Sequence, residues 1–176
     1  MSAAFAYLIK TLFEIYIGIV LLRLFLQWVR ADFYNPISQF VVKATNPLLL
    51  PLRRVIPGLG GIDLAALVLA FLLALIEVTL LAGLPPLWQL GLTALVIVVT
   101  ATFNLFFWAV VVRAVLSWVS PGAYNPASAL LIQLTEPILA PIRRVIPPIG
   151  GLDLSTIVFL IGMQFLSILV HNALGF

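Results

Sequence analysis

Apolar residues run along this chain in four long stretches, roughly 5–29, 63–84, 88–119 and 153–174. Polar residues gather in two segments between them, about 30–62 and 120–152. A helix needs about 20 mostly apolar residues to cross the hydrocarbon core of a bilayer. The pattern therefore predicts four transmembrane helices. The third stretch is the longest, and at about 1.5 Å per residue it must tilt, kink or project beyond the bilayer. Gly83, Leu84, Pro85 and Pro86 form a short turn between the second and third spans, because proline disfavours a continuous helix there.

The polar segments have a periodicity of their own. After Asn35-Pro36, the residues Ile37, Phe40, Val41 and Ala44 fall at helical spacing, and after Asn125-Pro126 so do Ala127, Leu130, Leu131 and Leu134. Ser38, Gln39 and Lys43, or Ser128 and Gln133, take the other faces. Such a pattern predicts a short amphipathic helix lying in the membrane interface. Pro47 and Pro51, with their counterparts Pro137 and Pro141, are expected to break that helix. Gly60-Gly61 and Gly150-Gly151 allow a tight bend, and Asp63 and Asp153 stand where an N-cap would start the next span.

The two linkers are copies of one another. Residues 45–64 read TNPLLLPLRRVIPGLGGIDL and residues 135–154 read TEPILAPIRRVIPPIGGLDL. The offset is 90 throughout, and 21 of 42 positions are identical between 23–64 and 113–154. A repeat of this length sets the architecture. It gives two units, 1–86 and 87–176, each of two spans and one interfacial linker. The expected fold is an all-α polytopic membrane protein with four transmembrane helices in two parallel hairpin repeats, related by an axis along the membrane normal.

Composition narrows the class further. The chain of 176 residues is 64% hydrophobic and 9% charged, whereas a soluble domain carries about 25% charged residues. A water-facing globule is excluded. With 9 Lys+Arg against 6 Asp+Glu, the high pI reflects scarcity of charge and not a nucleic-acid stripe. The absence of cysteine removes disulfides, thiol catalysis and thiolate metal sites. The first apolar run lacks a basic leader and a cleavage site, so it reads as a retained span. Arg23, Arg30, Lys43, Arg53, Arg54, Arg113, Arg143 and Arg144 all lie in or beside the linkers, and Lys10 alone lies at the opposite side. The positive-inside rule then places the linkers in the cytoplasm and both termini outside.

The motif from Asn46 to Leu64, repeated from Glu136 to Leu154, resembles that of the YggT family, also called YlmG, of bacterial and plastid membrane proteins. With the Arg–Trp–Asn-Pro pattern before each linker, the resemblance covers nearly the whole chain as two family units. Ala65-Ala66 and Ser155-Thr156 stand where the family often has Ser-Pro. The resemblance implies a role in osmotic-stress tolerance and solute or potassium uptake, in cell division and envelope or nucleoid organisation, or in thylakoid cytochrome assembly for plastid relatives. It implies no common catalytic residue. The absence of a transit peptide favours a bacterial inner membrane.

Three sets of residues are candidates for function. Arg53-Arg54 and Arg143-Arg144 form a duplicated basic patch suited to anionic headgroups or a protein partner; alternatively they only set topology and snorkel to the headgroups. Arg23 and Arg113 lie inside their spans, and a buried arginine needs a partner. Asp63 and Asp153 are expected to supply it as structural ion pairs. Lys10, Glu14 and Glu77, with Asn104 and Gln164, form a third set. Helical rise puts these residues at a common depth of about 21–23 Å from the linker side. They define a possible polar pathway between repeats, or else a Lys10–Glu14 pair near the outer interface with amides bonding between helices. His171 is the sole histidine and has no second ligand to join it. Trp28, Trp118, Tyr34 and Tyr124 suit an aromatic belt. Gly58, Gly60 and Gly61 do not make a phosphate loop, since no strand precedes them. No cofactor, metal or nucleic-acid motif is present, and an enzyme is the least supported class. Two functions stay open: a non-catalytic scaffold or assembly factor acting through its basic linkers, and a small ion or solute uptake component, such as a potassium channel, which needs a dimer or more because four spans enclose little space.

Overall fold

Most helix starts coincide with a capping residue in the chain. The computed structural model describes residues 2–58, 60–119, 125–147 and 153–174, and these form six helices in order. Helix α1 (Ala3–Trp28) starts at Ser2, whose side chain caps Phe5 N–H. It ends in a Schellman turn, with Ala31 N–H on Leu26 C=O at 2.8 Å and Arg30 in the left-handed region at φ 53°. Helices α2 (Pro36–Arg53) and α5 (Pro126–Val145) begin alike. Asn35 and Asn125 accept from the N–H two residues on, and proline follows at the first helical position, where its missing N–H costs nothing. Helix α3 (Leu64–Ala82) is capped by Asp63 and stops at Gly83, whose φ of 79° and ψ of −154° suit only glycine. Helix α4 (Leu87–Val119) has 33 residues, and α6 (Leu154–Leu174) follows Asp153.

Helices α1, α3 and α4 are long and apolar enough to cross a membrane; in α6 the apolar stretch Leu154–Val170 is shorter. The glycine bend expected before Asp63 is present, with Gly60 and Gly61 both at positive φ.

Helix α3 packs against α1 through small residues. Ala66, Ala70 and Ala74 recur every fourth position and are fully buried against Ile17, Val20, Leu21 and Leu24. Small side chains let two backbones approach closely, which is how helices associate when lipid is as apolar as their own surfaces. Helix α4 packs on both α1 and α3 and carries α5 and α6 in turn. A second core joins Phe106 and Val110 of α4 to Leu134 and Leu139 of α5 and Phe159 of α6. Leu26, Ala31 and Leu130 form a small third cluster between the repeats.

Two expectations for the linkers need correction. Helices α2 and α5 are not broken by their prolines but run through Pro47 and Pro51, and through Pro137 and Pro141. All four prolines are exposed. Spaced by four, each pair shares one outward face, so the carbonyls deprived of a donor lie on the outside and not within the packing. On the inner side, Tyr16 Oη donates to Ala44 C=O and Arg23 Nη1 to Val42 C=O, each at 3.1 Å. The buried face of α2 is also rotated from the one expected. Ser38, Val41, Thr45 and Leu49 face inward, while Phe40 is 62% exposed. For a helix on a membrane protein, an apolar outer face is not penalised, and small polar residues fit the close inner contact.

Candidate functional site

The linker helices are locked to the bundle by arginines, through partners other than those expected. Arg23 is buried and does not pair with Asp63. Its Nη1 donates to Val42 C=O, Thr45 Oγ1 at 2.5 Å and Asn46 Oδ1 at 2.8 Å. Asp63 instead takes Arg53, which donates from Nε at 3.1 Å and from Nη2, the latter also reaching Gln27 Oε1 at 2.9 Å. The second repeat shows the same exchange. Arg113 donates to Thr135 Oγ1 and Glu136 Oε2, both at 2.7 Å, and Asp153 pairs with Arg143 at 2.7 Å. In each repeat the linker helix supplies the partners, Thr45 and Asn46 for Arg23 and Arg53 for Asp63, or Thr135 and Glu136 for Arg113 and Arg143 for Asp153.

The two copies differ at one position with large electrostatic effect. Glu136 stands where the first repeat has Asn46, and its Oε1 accepts from Arg143 Nη1 at 2.7 Å. Arg113, Glu136, Arg143 and Asp153 therefore form a continuous chain of alternating charge, which in the first repeat is interrupted at Asn46. Burial would raise the Glu136 carboxyl, but the hydrogen bond and charge of Arg113, aided by Arg143, hold it below its ordinary value. Asp153 is likewise held low: burial opposes, while bonds from Ser155 and Arg143 prevail. Arg143 is held above its ordinary value, chiefly by its bond to Asp153.

Each basic doublet is thus split in role. Arg53 and Arg143 are half-buried structural partners; Arg54 and Arg144 are exposed. Lys43 is exposed about three turns before Arg54 on the same face, and the two frame a shallow depression of about 490 Å³ with Asn46, Pro47, Leu50 and Pro51. The linkers also touch each other. Asn35 Nδ2 donates to Pro126 C=O at 2.7 Å, and Asp32 N–H to Gln133 Oε1 at 3.1 Å. Trp28, Tyr34 and Trp118 are exposed beside this layer. Tyr124, Gly150 and Gly151 lie outside the described residues, as does the side chain of His171.

The polar residues of the apolar helices converge only in part. Lys10 and Glu14 pair at 3.8 Å on the exposed side of α1. Glu77 is 2% exposed, and its Oε2 is buried without a hydrogen-bond partner. Lys10, Glu14, Glu77 and Asn104 line one cavity of about 920 Å³ between α1, α3 and α4. Gln164 does not join them: it is exposed on α6, which packs against α4 and α5. Thr100 was not singled out from the sequence, yet it lines the same cavity, and its Oγ1 is buried and unpartnered. Its signal was the spacing of four from Asn104, which puts both on one face of α4. Among the described residues, no three His, Asp or Glu side chains gather as metal ligands.

Comparison with known proteins agrees with this duplication. The family model described as CCB3/YggT matches residues 2–84 and again residues 92–174. An uncharacterised Vibrio alginolyticus protein from the region 3′ of proC is 47% identical, over 97% of this chain and 95% of its own length. A Pseudomonas aeruginosa protein is also 47% identical, covering 99% and 92% of the two chains. The uncharacterised protein YggT of Escherichia coli K12 is 42% identical, covering 96% and 89%. No solved structure matches.

Proposed function

The chain belongs to the CCB3/YggT family, and we propose that it is a non-catalytic inner-membrane scaffold whose paired linker helices form its working surface. In this reading four helices span the bilayer, with both linkers on the cytoplasmic side. One observation carries the proposal. The inward faces of α2 and α5 are tied into the bundle by arginine bonds, while Lys43, Arg54 and Arg144 are left exposed and uncommitted to any ion pair in the described residues. Each such cation near an anionic surface gains about 1 kcal/mol. The surface is rigid, because both helices are held to the spans and to each other, and it mixes cations with exposed Phe40, Leu48, Leu50 and Val145. Headgroups and an acidic partner surface suit that mixture, in keeping with an assembly or osmotic-stress role.

The test replaces Lys43, Arg54 and Arg144 together by Gln and measures tryptophan quenching by brominated lipids in mixed bilayers. The wild type should prefer anionic over zwitterionic lipid, and the triple variant should lose most of that preference, about tenfold from three contacts weakened by salt screening. An unchanged preference with intact folding refutes the headgroup reading.

A second reading, uptake of a small ion or solute such as potassium, is favoured by the cavity beside Glu77. Liposome flux of potassium and protons, compared between wild type and Glu14→Gln/Glu77→Gln, decides it. A tight bilayer with correctly inserted protein removes this reading.

A further inference from the structure

The cavity between α1, α3 and α4 has the chemistry of a binding site for one kind of molecule. Its volume of about 920 Å³ is in the range that holds drug-sized ligands, roughly 300–1,000 Å³, and far exceeds one inorganic ion. Most of the wall is apolar, with Ile15, Leu22, Val78, Leu81, Val96 and Ile97 among its side chains. The polar groups are few, and the charged ones are two carboxylates against one ammonium.

Those charges are unevenly satisfied. Lys10 and Glu14 face each other at 3.8 Å. Glu77 has no ion-pair partner among the described residues, and its Oε2 is buried without any hydrogen bond. Thr100 Oγ1, on the facing helix, is buried and unpartnered as well. Leaving a buried acceptor unsatisfied is costly, and the cost is relieved by a donor from outside the chain. A metal ion is the wrong donor, since hard cations take six or more oxygen ligands and no ligand group of three assembles here among the described residues. A nitrogen cation bearing N–H bonds meets one carboxylate oxygen directly, in the strong charge-assisted form. Its apolar body would fill the remainder of the cavity, with Trp108 at the wall offering an aromatic face.

We propose that this cavity binds an amphipathic organic ammonium ion, with Glu77 and Thr100 receiving the cationic head and the apolar wall receiving the body. The site shares its space with the uptake reading but requires binding alone. A protein that binds the cation and passes no potassium leaves the proposal standing; one that passes potassium and does not bind it overturns the proposal.

The experiment uses the full chain in phosphatidylcholine nanodiscs and follows the fluorescence anisotropy of 9-aminoacridine, against empty nanodiscs. The wild type should show saturable binding to one site. Glu77→Gln should weaken it about tenfold or more, through loss of one charged acceptor. Gly18→Leu is a second variant that leaves Glu77 intact. Gly18 lines the cavity, and a Cβ built there meets nothing within 4 Å, so a side chain can start from it into the ligand space. It should also abolish binding, and together with the comparison of 9-aminoacridine and acridine it decides the matter if Glu77→Gln does not fold. Acridine, the uncharged parent, should bind much more weakly. Equal binding of acridine, or wild-type binding by both variants, reduces the cavity to an apolar cleft filled by lipid and overturns the proposal. Displacement of the probe by rubidium chloride at constant ionic strength does so too, in favour of an inorganic cation.

Discussion

Replacing Asp63 by Asn, and separately Asp153 by Asn, tests the linker lock within one molecule. The two aspartates occupy equivalent positions and pair with equivalent arginines, but their surroundings differ. Asp63 is 3% exposed, and Asp153 is 35% exposed. Asparagine keeps an oxygen for the helix cap, so the change removes the charge and little else. Hydrogen bonds to charged groups contribute roughly 1.5–3 kcal/mol. At the buried Asp63, where Arg53 keeps only Gln27, the loss should be about 2–3 kcal/mol. At Asp153 solvent screens the pair and Arg143 keeps Glu136, so the loss should stay below about 1 kcal/mol. Tryptophan fluorescence melts in detergent micelles measure both. At about 2–4 °C per kcal/mol for a chain of this size, Asp63→Asn should lower the midpoint by roughly 4–12 °C and Asp153→Asn by less than about 4 °C. A double-mutant cycle with Arg53→Gln should return a coupling of about 1.5–3 kcal/mol. Equal losses in the two repeats, or a larger loss at Asp153, would refute the reasoning from burial.

Acidification should act on the second repeat. Glu136 and Asp153 are held below ordinary values of 4.5 and 3.8, so the unfolded chain takes up protons first. Their contribution is complete above those values and is lost as pH falls through the lower folded ones; Glu136→Gln should flatten this slope in melts between neutral and acid pH. Arg30→Gly should raise stability by up to about 1 kcal/mol in the same melts, since Arg30 holds a left-handed φ of 53° that costs a side-chain-bearing residue. Asn35→Ala should cost about 1–2 kcal/mol by removing the α2 cap. Because Asn35 also bonds Pro126 C=O, hydrogen exchange should rise at the starts of both linker helices and not of α2 alone.

The elements were largely legible in the chain, and their mutual rotation was not. The unbroken Leu, Ile and Val runs mark α1, α3 and α4, and Asn35, Asp63 and Asn125 mark helix starts at the positions expected of caps. The prolines misled because proline is read as a breaker wherever it falls, whereas a pair spaced by four on an outward face leaves the inner packing whole. Arg23 was matched to Asp63 because an arginine inside a span needs a partner and Asp63 starts the next span. Position along the chain says nothing of which side chain lies nearest, and Thr45, Asn46 and Arg53 of α2 take up both groups. The same gap separates Gln164 from Glu14, Glu77 and Asn104: all share a level, but α6 turns its amide away from the cavity. Asn46 and Glu136 looked like an ordinary difference between copies, because nothing in the chain shows that each faces an arginine from the preceding span.

The arginine bonds also impose an order on synthesis. Arg23 finds its partners at Val42, Thr45 and Asn46, which lie 19, 22 and 23 residues further along. At about 5–20 residues per second, the ribosome makes the arginine roughly one to five seconds before the atoms that neutralise it. Through that interval the first span carries an unpaired cation that resists partition into lipid. The cost is relieved only when its own linker emerges, and Arg113 repeats the delay with Thr135 and Glu136. The linker thus supplies the bonding partners of the arginine on the helix translated just before it, within each repeat.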